Sequence, residues 1–177
     1  MMGSGLFAGQ RIELIDGDLI EKMGQKPPHA QAIRLLNKFL LGVFGAERVQ
    51  VQLPVDVAPE DQERNEPEPD LAVLAGTKAD YDTRHHRANE LLLAVEVADS
   101  TTQFELSVKA ALYARATLPE YWVLDVRRRV LVVHRQPEHG QYRQVIRLTE
   151  SELAFLEGRA DAAIAVSNLL PAVNPGR

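Results

Sequence analysis

Glu66-Pro-Glu-Pro-Asp70-Leu-Ala-Val-Leu74 and, after a polar interval, Leu91-Leu-Leu-Ala-Val-Glu96-Val-Ala98 are the runs that decide how this chain folds. Both are short and almost continuously apolar, as central strands covered on both faces are. Asp70 opens the first run, just after Pro69, and Glu96 lies inside the second. An ionised carboxylate in an apolar strand is expensive unless it is paired or metal-bound. A helix is expected next, capped by Thr101 or Thr102 and running to about Thr117, with Pro119 preventing its continuation. Ala110, Ala111, Ala114 and Ala116 make it helix-prone and thin enough to lie close on a sheet. Glu105, Lys109 and Tyr113 recur every four residues and share one face of it. Two carboxylates in apolar strands, followed by a lysine on the next helix, point to a divalent-metal site. Taken alone, Glu105 and Lys109 read as an exposed ion pair worth under about 0.5 kcal/mol.

Downstream, Glu120 to Asp125 reads as a strand and Val126-Arg-Arg-Arg129 as a turn. Val130 to His134 and Gln141 to Leu148 form a hairpin around Glu138-His139-Gly140. The tail reads as a short helix at Glu152–Leu156 and an apolar segment, Ala162–Leu170. Tyr113 and Trp122 are expected in the core.

Upstream, Arg11 to Met23 carries Asp16-Gly17 between apolar pairs, a strong hairpin signal because both turn residues tolerate positive φ. Glu21 is expected on its exposed face, while Glu13, just before Leu14 and Ile15, is the one that can point inward. Gln25-Lys-Pro-Pro28 breaks the strand. His29 to Phe44 is a helix by its spacing of Ala32, Ile33, Leu36, Phe39, Leu40 and Val43. His29, at its start, is either a capping or surface residue or a group facing the site. Glu47 to Ala58 alternates with period two and reads as one strand, with Pro54 marking an edge or bulge. Gly76 to Asn89 is a polar loop or short helix.

The 177 residues suffice for one domain, 1–177, with a sizeable core, and 25% charged residues mark an ordinary globular chain. The absence of cysteine excludes disulfides and thiolate metal sites. No apolar run approaches the ~20 residues of a membrane span, and the N-terminus lacks the pattern of a signal peptide. A cytoplasmic protein is the expectation. A net charge of −5 argues against a protein that coats nucleic acid, but not against a nuclease with carboxylates at a metal site. Arg84-His85-His86-Arg87 and Arg127-Arg128-Arg129 are local basic patches that read first as solvated turns.

In order along the chain stand Glu13-Leu-Ile-Asp-Gly-Asp18, His29, Pro69-Asp70-Leu71, Glu96-Val-Ala-Asp-Ser-Thr101 and Lys109-Ala-Ala-Leu-Tyr113-Ala-Arg-Ala-Thr-Leu-Pro119-Glu-Tyr-Trp122-Val-Leu-Asp125. The set resembles the Uma-two family of restriction-endonuclease-like proteins, within the PD-(D/E)xK nuclease superfamily, over roughly Arg11 to Val133. The resemblance implies an α/β fold, with a mixed central sheet flanked by helices and an N-terminal β-hairpin. It implies that Asp70 and Glu96 are the two acidic residues of the site. In the superfamily's simplest pattern a lysine stands two residues after the glutamate, where this chain has Ala98, so the lysine is implied to come from the helix as Lys109. The family often has aspartate where Glu105 stands and glycine where Thr117 stands.

Phosphodiester hydrolysis needs a hard cation, oxygen ligands and an activated water. Asp70, Glu96 and the backbone carbonyl of Val97 are the expected ligands of Mg²⁺ or Mn²⁺, Lys109 the catalytic cation, and Glu13, His29 and Glu105 supporting groups. The expected function is a metal-dependent DNA endonuclease, acting as a homodimer. The alternative is a catalytically inactive nuclease fold serving as a binding or assembly module, with Ala98 as its best support. A weaker third reading is hydrolysis of a small phosphodiester.

Overall fold

The structure, a computed structural model, describes residues 12–22, 26–81, 83–99 and 101–172. The N-terminal stretch through Arg11, the hairpin end at Met23, Gln25 of the strand break and Ser100 of the Glu96–Thr101 motif lie outside the described residues.

The described residues begin with a two-stranded hairpin, β1 (Ile12–Ile15) and β2 (Asp18–Glu21), turning on Asp16 and Gly17, both at positive φ. Helix α1 (Pro27–Phe44) starts two residues before His29, on prolines whose missing N–H costs nothing in a first turn. Two short strands follow, β3 (Val49–Val51) and β4 (Val55–Asp56). The single strand expected over Glu47–Ala58 is therefore divided. Gln52 adopts φ +52 and takes the chain out of the sheet, and Pro54 follows, so β4 pairs instead with β6 (His86–Arg87). Between them runs β5 (Leu71–Leu74), and after them β7 (Leu91–Ala98).

The helical passage over 102–115 is made of α2 (Thr102–Phe104), a π turn at Glu105–Lys109, and α3 (Ala110–Arg115). The expected threonine cap is absent. Thr101 makes no capping hydrogen bond, and Thr102 Oγ1 instead donates to Asp125 Oδ2 at 3.0 Å. The helix closes with Leu118 N–H donating to Tyr113 O across Thr117, which sits at φ +57. A left-handed residue here is the usual end of a helix and favours glycine, which explains why the resembled pattern has glycine where Thr117 stands.

Strands β8 (Glu120–Asp125), β9 (Val130–Glu138) and β10 (Gln141–Thr149) complete a mixed six-stranded sheet of order β10-β9-β8-β7-β5-β3. Only β7 and β8 are parallel in it, joined by the helical passage; its other neighbours are antiparallel. This is the mixed α/β architecture that the family resemblance implied, and the two apolar runs are interior strands of its sheet, β5 and β7. The tail departs from expectation. Glu152–Leu156 is not a helix: β11 (Leu153–Leu156) pairs with β12 (Arg159–Ala165) in a hairpin through Gly158, at φ +70, and a 3₁₀ turn follows at Val166–Leu169. Five residues are too few to show a helical period, and the alanine-rich partner strand has weak β propensity.

The sheet is buried on both faces. Leu93, Val95, Val97, Trp122 and Leu124 join α1 and the C-terminal hairpin in one core, while Ala94, Ala98, Tyr121 and Val123 join α3 and Ile15 in another. Because side chains alternate along a strand, this parity also assigns Glu96 to the second face, with Ala94 and Ala98. Asp70 continues the parity of Ala72 and Leu74, and Glu13 that of Ile15, so all three acids share that face. The site is thus set by strand alternation before any specific contact forms.

Candidate active site

Asp70 precedes β5 directly and is buried. Its Oδ2 accepts the backbone N–H of Val97 at 2.9 Å and lies 3.7 Å from His29 Nε2. Its Oδ1 accepts a long bond from Gln52 Nε2 at 3.4 Å and lies 3.9 Å from Lys22 Nζ. Glu96, in the middle of β7, accepts Lys109 Nζ on Oε1 at 2.7 Å and Lys22 Nζ on Oε2 at 3.3 Å. Glu13 Oε2 is 2.8 Å from Lys109 Nζ and 3.9 Å from Lys22 Nζ, and it accepts Glu68 N–H at 3.2 Å. Glu105 Oε2 stands 3.4 Å from Lys109 Nζ.

Glu13, Lys22, His29, Asp70, Glu96 and Glu105 line a cleft of about 90 Å³, whose wall also includes Val97, Lys26, Asp99, Thr101 and Phe104. The structure therefore brings Asp70, Glu96, Lys109, Glu13, His29 and Glu105 into one cluster, with Val97 entering through its N–H. The ion pair of Glu105 and Lys109 is not the exposed helix pair that spacing alone implied: both residues are buried, Lys109 at 0% exposure. The π turn between them inserts an extra residue into the helix, a feature frequent at functional sites. Ser107 Oγ, within it, bonds back to Gln103 O at 2.7 Å, an arrangement that often bends helices.

The charges do not balance inside the cluster. Four carboxylates, Glu13, Asp70, Glu96 and Glu105, face two lysines, Lys22 and Lys109. Burial alone works against ionisation of Asp70, but the His29 hydrogen bond, the Lys22 ammonium and the Val97 N–H outweigh it and hold that carboxyl well below its usual range. Burial pushes Glu96 up despite Lys109 and Lys22, and the charges of Glu105 and Asp70 add to the rise. Glu105 is raised for the same reason, burial first. For Lys109 burial favours the neutral amine, but Glu96, Glu105 and Glu13 overcome it, so the ammonium persists.

Lys22 is the group that sequence reasoning missed. No motif marks it. Its signal was parity: it lies two residues beyond Ile20, which packs on the same core, and Ile20 is the cross-strand partner of Glu13. With 14% of its side chain exposed, its ammonium sits among Glu13, Asp70 and Glu96 and donates also to Glu68 O. Among the described residues no group of three or more His, Cys, Asp or Glu side chains stands arranged to hold a metal ion. The two lysines stand between the acids.

The sequence matches the family model Uma2, described as "Putative restriction endonuclease", over residues 6–166. The chain belongs to the Uma2 family. Among solved structures it is similar to one described as a "putative nuclease belonging to DUF820" from Anabaena variabilis ATCC 29413. That likeness covers 89% of this chain and 88% of the other at a TM-score of 0.70, with 14% sequence identity, and so concerns the fold. No curated protein matches the chain. The Uma2 match spans every residue of the acid cluster, from Glu13 to Lys109. Among the described residues no helix is long and apolar enough to cross a membrane.

Proposed function

We propose that this Uma2 chain is a divalent-metal-dependent endonuclease that hydrolyses phosphodiester bonds in DNA, with its active site at the acid cluster. The observation that carries the reading is the convergence of Asp70 Oδ1 and Glu96 Oε2, within 3.9 and 3.3 Å, on a single cation position now held by the Lys22 ammonium. The donor set fits Mg²⁺ or Mn²⁺. It is made of hard carboxylate oxygens and has no thiolate, and a divalent ion would add positive charge where four acids face two lysines.

When bound, such an ion polarises the phosphoryl oxygen and makes a water acidic enough to attack at neutral pH. The protein's own part follows from the contacts. Asp70 and Glu96 would hold the ion, with Glu13, buried beside them, as a further oxygen donor. Val97 N–H and His29 fix the Asp70 carboxylate, so that Oδ1 is the oxygen turned to the cation position. Lys109 is a positioning residue. Fully buried and shared among three glutamates, it holds Glu96 and Glu13 at 2.7 and 2.8 Å and has no exposed surface for substrate. Lys22, at the cleft wall, is the cation able to meet charge that builds up on the phosphoryl oxygens.

Mg²⁺- or Mn²⁺-dependent cleavage of plasmid and single-stranded DNA tests the reading, with Asp70→Ala and Glu96→Ala as the decisive variants. Cleavage by those variants at the parent's rate sinks it. One observation favours a second reading, a nuclease fold retained for binding: a lysine already fills the cation position. Calorimetric titration separates the two, because the binding-module reading requires no Mg²⁺ or Mn²⁺ uptake that depends on Asp70 and Glu96.

A further inference from the structure

Beside the acid cleft lies a second, more open groove of about 490 Å³. Asp99 belongs to the walls of both. The groove is bounded by the N-terminal end of the helical passage, at Thr102, and by Arg127, Arg128 and Arg147. Arg127 and Arg128 come from the turn between β8 and β9. Arg147 comes from β10, opposite Val132, whose side chain packs in the core beneath the helical passage. Three arginines from two separate segments thus surround one concavity next to the cluster.

The carboxylates nearby are already covered. Asp99 takes Arg127 Nε on Oδ1 at 2.6 Å and has Lys26 Nζ 3.8 Å from Oδ2. Asp125, buried, takes Arg128 Nη1 at 3.0 Å and Thr102 Oγ1 at 3.0 Å. A guanidinium has five N–H donors in a planar fork, and these pairings leave most of them unused. The side chains of Arg127 and Arg128 are 61% and 65% exposed, and Arg147 has no ion pair among the described residues. The groove therefore carries spare positive charge in a chain of net charge −5. Another arginine-bearing groove, around Arg87 and Arg115, is of a different kind. Asp56 and Glu60 line it, Arg115 is held in a two-pronged bond by Asp61 at 2.7 and 3.2 Å, and it shares no residue with the acid cleft.

A strand whose scissile phosphate reaches the acid cluster must carry its neighbouring phosphates across adjoining surface. There each phosphate is drawn by arginine forks and repelled by bare carboxylates. We infer that the groove of Arg127, Arg128 and Arg147 is the track on which the nucleic-acid backbone leaves the acid cleft, passing over Asp99, whose charge Arg127 and Lys26 neutralise. The inference rests on the nuclease reading of the neighbouring cluster and adds where its substrate lies.

Binding of a fluorescently labelled DNA oligonucleotide, followed by anisotropy in EDTA over a range of salt, tests the track without cleavage. Arg147→Glu and Arg127→Ala are the test variants. Arg143→Glu is the control: it lies on the same strand, outside the groove, and is paired with Glu138 at 3.0 Å. Arg147→Glu is expected to weaken binding roughly tenfold or more, and to lower the slope of log affinity against log salt by about one, as loss of one phosphate contact does. Arg127→Ala is expected to weaken it several-fold, and Arg143→Glu to change it less than about twofold. The track is overturned if Arg147→Glu binds like the parent, if Arg143→Glu loses as much, or if the parent binds no oligonucleotide. Normal binding by Arg147→Glu together with loss of cleavage in Asp70→Ala removes the track and leaves the active-site reading intact. Weakened binding by Arg147→Glu with undiminished cleavage by Asp70→Ala does the reverse.

Discussion

Glu96 and Glu120 are buried carboxylates on the neighbouring parallel strands β7 and β8, and they are accommodated in opposite ways. Glu120 has the parity of Trp122 and lies on the α1 face. Its Oε1 accepts Trp122 Nε1 at 2.8 Å and Arg135 Nε and Nη2 at 2.9 and 2.7 Å, and its Oε2 accepts Glu157 N–H at 2.9 Å. One acid meets one cation, and both oxygens are satisfied. Glu96 faces the other way, and its two cations, Lys109 and Lys22, are shared with Glu13, Asp70 and Glu105. Both arrangements carry the cost of taking a charge out of water. The first recovers it within the fold and ties β8 to the C-terminal hairpin. The second leaves a deficit of positive charge at the edge of a cleft, as a site that takes up a cation does.

The largest expected effect separates the two outright. Asp70→Ala or Glu96→Ala removes a carboxylate at the cation position and is expected to lower metal-dependent cleavage by about a thousandfold or more, equivalent to at least ~4 kcal/mol of barrier. Glu120→Gln, which keeps the shape of the side chain, is expected to retain cleavage at a temperature where it is folded. The comparison breaks if Glu120→Gln loses cleavage as deeply as Glu96→Ala.

Stability should run in the opposite order. Glu120→Ala leaves the largely buried Arg135 without its partner and is expected to cost about 3–5 kcal/mol by urea unfolding of the metal-free protein. Glu96→Gln removes one acid from a cluster with too many, and is expected to change stability by under about 1 kcal/mol or to raise it. Equal losses in the two variants erase the distinction between a balanced and an unbalanced burial.

Much of this contrast was legible in the sequence, for a definite reason. A charge inside an apolar strand is visible because it interrupts the pattern, and so Asp70 and Glu96 were. Lys109 stands out as the cation on the helix after those two strands and as the lysine that the resemblance implies, whereas its spacing to Glu105 alone reads as an exposed pair; Glu13 stands out beside Leu14 and Ile15. What could not be read were features that depend on pairing between distant segments. Lys22 sits at the end of a strand among ordinary charged residues, and only the register of β1 against β2 turns it to the cluster. The π turn depends on how the helix packs and has no compositional mark. The period-two run of Glu47–Ala58 concealed its own break at Gln52, because a polar residue at positive φ looks like any outward-facing residue of a strand. Glu120 reads in the sequence as the start of a strand with no mark of its ion pair, since its partner Arg135 stands fifteen residues on, across a hairpin.

Lys22 offers a finer test of what the unbalanced cluster is for. Lys22→Met keeps the length of the side chain and removes the ammonium from among Glu13, Asp70 and Glu96. If that ammonium holds the place of a cation, Mg²⁺ or Mn²⁺ should bind the variant about tenfold more tightly in calorimetry, a gain of ~1.4 kcal/mol. Turnover at saturating metal should fall, because the variant has no cation at the cleft wall to meet charge on the phosphoryl oxygens. Unchanged metal affinity means that Lys22 does not compete for the position, and the likeness between its ammonium and a bound cation ends there.

The smallest expected effect concerns a third buried acid, Asp125, which shares a face with Glu96 but is balanced as Glu120 is. Burial alone disfavours its charge. The Arg128 N–H at 2.8 Å, the Arg128 side chain and the Thr102 hydroxyl more than compensate, and hold its carboxyl below the ordinary aspartate range. A carboxyl whose folded pKa lies below its unfolded value contributes stability that is fully present above the unfolded value, near 3.9, and is lost as pH falls through the folded one. Asp125→Asn should therefore cost on the order of 1 kcal/mol at pH 7, because Arg128 is mostly exposed and solvent screens its share. The gap between parent and variant should hold down to about pH 5, narrow as pH falls past the unfolded value, and close only below the folded one. Unfolding curves for both proteins at stepped pH measure it. A gap that stays constant from pH 7 to pH 3 means that Asp125 stabilises the turn by shape and hydrogen bonding alone, and its charge then has no part in setting it apart from Glu96.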